Sequence, residues 1–176
     1  VETYLQRKLF MRIDVVPEIS LVNSLVLRYR TASRKFGFAI TFSHVRAVCN
    51  HWCTRSRFGN KTSGCCFGCG HISDRIAHTL ICPRFWELFF SLTHFDCQPL
   101  AFIDVLLLTL ESTPFDGNLS DLLLSGTHIC FLSNHSCKGG KTLDRRLVQH
   151  FLSHYCRSHP RTGRFIAMTY PNSPST

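Results

Sequence analysis

Four residues constrain this chain more than any other feature: Cys66, Cys69, His78 and Cys82, spaced Cys-x2-Cys-x8-His-x3-Cys. Two thiols three positions apart can turn toward one ion when the backbone between them is free to bend, and Gly59 to Gly70 holds four glycines. A helix over Ser73 to Cys82 sets His78 and Cys82 one turn apart on one face, which completes a tetrahedron of three sulfurs and one nitrogen. The spacing therefore predicts a structural zinc (Zn2+) site built as a short ribbon plus a helix. With four protein ligands, no coordination position is left for a reacting water. Cys65 and His71 stand beside the set as alternative ligands. The ten cysteines are read as metal ligands and buried thiols of a reducing compartment rather than as a disulfide framework, because the N-terminal residues show no secretory signal pattern. The expectation is an intracellular protein, nuclear or cytoplasmic, and not a secreted one.

The rest of the chain reads as helices. Leu5, Leu9, Ile13 and Val16 recur at helical spacing up to Pro17, and Leu21, Val22, Leu25, Val26 and Tyr29 repeat the pattern. A third run, about Phe42 to Trp52, carries Val45, Val48, Cys49 and Trp52. Ser73 is placed to cap the short helix ending at Cys82, and Pro83 suits the first turn of the next, Arg84 to Leu92. Pro99 to Leu110 is almost uniformly apolar and is expected to be buried; Asp116-Gly117-Asn118 breaks it. A run from about Leu119 to Leu132 ends before Gly139-Gly140, and Leu143, Leu147, Val148, Phe151, Leu152 and Tyr155 form the clearest amphipathic stripe. The predicted class is mainly α, with a small CCHC finger embedded among helices. Four segments follow: 1–40, helical and basic; 41–92, the finger region; 93–158, helical; and 159–176, a polar tail. No apolar run approaches the roughly 20 residues of a membrane span, since Leu100 to Leu110 is short and contains Asp104.

Twenty Lys and Arg against 11 Asp and Glu leave a net charge of +9, which favours a polyanionic partner. Around the finger, Arg55, Arg57, Lys61, Arg75 and Arg84 are the candidate nucleic-acid contacts, with Trp52 and Trp86 expected to pack the finger onto its flanking helices. A second metal set, Cys130, His135, Cys137, His150, His154 and Cys156, contains one helix-face pair, His150-x3-His154, but matches no ribbon spacing. Catalytic motifs are missing from the sequence. It has no Tyr/Phe-x-Asp-Asp, its carboxylates are dispersed, and Gly139-Gly140-Lys141-Thr142 lacks the glycine that a phosphate loop needs at His135. The chain is not expected to be an enzyme.

The block Trp52-Cys-Thr-Arg-Ser-Arg-Phe58, then Cys66-Phe-Gly-Cys69, Ser73-Asp74, Ala77-His78-Thr-Leu-Ile-Cys82-Pro83 and Trp86 resembles the zinc-binding segment downstream of the reverse transcriptase domain in non-LTR (LINE-like) retrotransposons. The likeness spans roughly residues 41 to 90. It implies Cys66, Cys69, His78 and Cys82 as ligands, RNA or DNA as partner alongside other segments of a parent polyprotein, a ribonucleoprotein location, and no membrane. It also implies a fragment separated from its polymerase. The competing expectations are a zinc-stabilised protein interaction module presenting the Phe- and Leu-rich residues 85 to 110, and a degenerate retroelement remnant.

Overall fold

The computed structural model describes residues 2–13, 18–49, 51–52, 64–72, 74–93, 105–106, 108 and 117–158. They are mainly helical, and no strand occurs among them. Among the described residues the helices are, in order, α1 (Glu2–Ile13), α2 (Ile19–Phe36), α3 (Phe38–Val48), α4 (Ile76–Leu80), α5 (Pro83–Thr93), α6 (Gly117–Lys138) and α7 (Arg145–Ser158). The chain divides into two compact units, each discontinuous in sequence: Val1–Trp52 with Leu100–His128, and Cys53–Pro99 with Ile129–Thr176. The expected helix over Pro99 to Leu110, Ser73 and the polar tail lie largely or wholly outside the described residues. Val105, Leu106 and Leu108 are described, and all three are buried.

In the first unit α1, α2 and α3 pack on one another. Leu5 and Leu9 from α1 and Val22, Leu25, Val26 and Tyr29 from α2 are buried, as their spacing predicts; Leu21 of the expected stripe is exposed, and Phe36 joins the core instead. Arg34 and Lys35 occupy the last turn of α2, where cations complement the helix dipole. Gly37, at a φ of 89°, then breaks the helix and lets α3 begin at once. Of the residues expected to mark the third run, Val48, Cys49 and Trp52 are buried, but the buried face of α3 takes in further residues. It consists of Ile40, Thr41, Ser43, His44, Ala47 and Val48, while Val45 is only half-buried. Three polar side chains are accepted there because each finds a partner. Ser33 donates to Thr41 at 3.1 Å, Ser43 pairs with His128 at 2.8 Å, and His44 bonds Tyr29 and Val105. Trp52 is buried and its indole N–H donates to the Ser43 carbonyl at 2.9 Å.

In the second unit α5 packs on α7. Its core is aromatic: Phe85, Trp86, Phe89 and Phe90 are linked ring to ring, with the Trp86 and Phe89 planes perpendicular at 5.5 Å. The Leu147 amide donates to the Asp144 carboxylate at 2.7 Å, which caps α7. Helix α6 begins at Gly117 and runs to Lys138, longer at both ends than the expected 119–132. It stops at Gly139-Gly140, as expected, with the Gly139, Gly140 and Lys141 amides closing back on His135, Cys137 and Ser136. No helix among the described residues is long and apolar enough to cross a membrane.

Candidate metal centre

The centre lies within the second unit and is held by a turn and by the junction between two helices. In the turn, the Cys65 amide donates to the His71 carbonyl at 2.8 Å and the Gly68 amide to the Cys65 carbonyl at 2.9 Å. Phe67, between the two thiols of the turn, is buried and stacks on Phe85 with centroids 5.8 Å apart. Burying such a ring contributes about 1.5–3 kcal/mol, so this contact anchors the turn to the aromatic core. Arg84 clamps the same turn from α5, donating to the Gly68 carbonyl at 2.8 Å and to the Leu143 carbonyl at 3.4 Å.

Four donor atoms, from Cys65, Cys69, His78 and Cys82, lie within 4.8 Å of one another. The Cys65 and Cys82 sulfurs are 3.8 Å apart, the edge of a tetrahedron whose metal–sulfur bonds are about 2.3 Å. Cys69 Sγ and His78 Nε2 stand at 3.1 Å. The four can bind a metal ion, and they are the one group of this kind among the described residues.

Three of the four expected ligands are therefore brought together, and Cys65 joins them, so the spacing becomes Cys-x3-Cys-x8-His-x3-Cys. Cys66 stands outside the group. Its thiol is pushed up by its bond to the Cys65 sulfur, by burial and by the neighbouring carboxylate of Asp74. Cys65 is held well below the ordinary thiol range by hydrogen bonds from Cys66 and Cys82 and by the Phe67 amide. His71 is also outside, but its ring lies flat on that of His78, with centroids 3.8 Å apart and planes 7° from parallel.

The helix behind the site is shorter than expected. It covers Ile76–Leu80 only, and Cys82 follows it at the entrance to α5, where the Phe85 and Trp86 amides donate to the Cys82 carbonyl. The His78 to Cys82 spacing still works because Ile81 continues the turn, its amide closing on the His78 carbonyl at 3.0 Å. Trp86 is buried, its N–H held by the Leu80 carbonyl at 2.6 Å. The expected CCHC ribbon has no strand counterpart here: a turn supplies both N-terminal thiols.

Of the five cations read as nucleic-acid contacts, Arg55, Arg57 and Lys61 lie outside the described residues. Arg75 is exposed at the head of α4, and Arg84 is committed to the turn. The second metal set does not converge among the described residues. Cys130 is buried and donates to the Thr79 carbonyl, His135 packs edge-on to Phe131, and burial raises the Cys156 thiol. A separate cavity of about 580 Å³ occupies the first unit, lined by α2 residues including Arg28 and Lys35, by Leu108 and by Ser120, Asp121 and Leu124. Leu108 stands there at a φ of 56°, its carbonyl accepting from Arg28 and Ser120 at 2.8 Å each. No periodicity or motif marks that cavity, which is made by residues far apart in sequence.

Compared with protein-family models, with curated proteins and with solved structures, the chain matches none of them.

Proposed function

We propose that Cys65, Cys69, His78 and Cys82 hold one structural zinc ion, and that this centre orders a nucleic-acid-binding module. The module would be of the kind found downstream of the reverse transcriptase domain in non-LTR retrotransposons. The observation that carries the reading is the donor set itself: three sulfurs and one imidazole nitrogen mutually within 4.8 Å. Thiolate-rich tetrahedral sites select zinc, and a site filled by four protein ligands supplies structure rather than hydrolysis. The net charge of +9 and the exposed Arg75 beside the centre support a polyanionic partner. An interaction module presenting the face of α5 is less well supported, because Phe85, Trp86, Phe89 and Leu92 are buried.

Two measurements test this. Metal analysis of natively purified protein should return one zinc per chain, retained in Cys66→Ser and lost in Cys65→Ser. Zinc lost from Cys66→Ser and kept by Cys65→Ser would assign the site to the other thiol. Binding to RNA and DNA should fall steeply with salt, because each phosphate contact releases counterions. A flat salt dependence, or no binding, would return the module to protein recognition.

A further inference from the structure

Along α3 in the first unit, Phe38 and Phe42 stack with centroids 5.1 Å apart and planes 25° from parallel. The Arg46 guanidinium lies over the Phe42 ring, 5.6 Å from its centroid. Spacing at i, i+4 and i+8 puts all three on one face of the helix. That face is turned to solvent, with Phe38 68% and Phe42 42% exposed, while the core takes a different set of α3 side chains. Arg46 covers one end of the stack. Phe38, the more exposed ring, ends it at the other.

Charge decides what could continue such a stack. From Ile19 through Trp52, the stretch of the first unit that holds α2 and α3, the sequence has no Asp or Glu and five Lys and Arg. Lys35 is engaged by Asp121. Arg34 is exposed four residues before Phe38 in the sequence, and Arg46, which also donates to the His51 carbonyl at 3.5 Å, stands in the last turn of α3, so cations flank the aromatic pair along the chain. An apolar protein surface docking here would desolvate those cations without pairing them. A single-stranded polynucleotide offers a flat π-face for the ring and phosphates for the guanidinium groups.

We propose that α3 is a stacking platform for an unpaired base of single-stranded RNA or DNA, with Phe38 the rung on which the base lies and Arg34 and Arg46 meeting the adjacent phosphates. The inference rests on the nucleic-acid reading above and adds a contact site that the metal centre does not supply.

Fluorescence anisotropy of the zinc-loaded full chain with oligouridylate, oligodeoxythymidylate and a duplex of equal length tests it. Phe38→Ala should weaken binding of one or both single strands about 5- to 100-fold, since base–aromatic stacking has that range. Duplex binding and the salt slope should hold, because no phosphate contact is removed, and Phe38→Trp should restore affinity. The two single-strand arms separate an RNA site from a DNA site. If the wild type binds single strands and Phe38→Ala binds equally well, the platform falls while the nucleic-acid reading stands. An equal loss for duplex and single strand also overturns it, as does a change in self-association with unchanged oligonucleotide binding. A wild-type protein that binds no polynucleotide overturns both.

Discussion

Burial of His44 between Tyr29 and Val105 makes the stability of the first unit sensitive to mild acid. The Val105 carbonyl can only accept, so His44 Nε2 carries the proton toward it at 2.7 Å, and Nδ1 accepts from the Tyr29 hydroxyl at 2.6 Å. Burial raises the Tyr29 hydroxyl well above its usual value, which keeps it a donor, and lowers His44 to about 4 from 6.5. Between those two values the unfolded chain binds a proton that the folded chain refuses, so stability is lost as pH falls from about 6.5 to 4. The difference amounts to about 3 kcal/mol. Urea midpoints should therefore drop between pH 7 and pH 4.5 more steeply in the wild type than in His44→Gln. Parallel profiles would show that His44 titrates as it does in the unfolded chain.

Among the elements, the Cys65 to Gly70 turn and helix α7 carry separable predictions. Gly68 has a φ of 71°, and a Cβ there would stand 3.3 Å from the Arg84 guanidinium that clamps its carbonyl. Gly68→Ala should cost about 1–2 kcal/mol in backbone strain and speed zinc loss to a chromogenic chelator. Retention at the wild-type rate would mean that the turn tolerates the change by shifting Arg84. Asp144 caps α7 in another way, through the Leu147 amide. Asp144→Ala should lower stability by about 1 kcal/mol in thermal melts and leave zinc content alone, because the bond it removes serves the helix end and not the turn.

For the molecule as a whole, the consequence of the proposed zinc is regional. All four donors belong to the unit formed by Cys53–Pro99 and Ile129–Thr176. Structural zinc of this type contributes roughly 10 kcal/mol to folding at neutral pH. Chelation should then abolish amide-exchange protection in α4 and α5 while α2 and α3, in the other unit, keep theirs. Protection lost uniformly in all four helices would show that the chain unfolds as one when metal leaves.

The sequence by itself determined the helical class and most of the core, because apolar residues repeating every three to four positions have one way to be buried together. Leu5 and Leu9, Val22, Leu25, Val26 and Tyr29, and Val148, Leu152 and Tyr155 read correctly from that period, whereas Leu21 of the same stripe is exposed. The same logic put His78 and Cys82 a turn apart and stopped α6 at Gly139-Gly140. Tertiary structure alone decided which of two adjacent thiols lies in the donor group. Neighbouring residues in a turn point different ways, and the direction was fixed by Phe67 packing on Phe85 and by Arg84 holding Gly68, contacts with partners well separated in sequence. It also decided the face of α3, where burial of His44 and Ser43 depends on Tyr29, Val105 and His128 supplying hydrogen bonds that no local pattern announces. Phe38 and Phe42 were left outside by that choice: a helix has one buried face, and the side with satisfied polar partners took it.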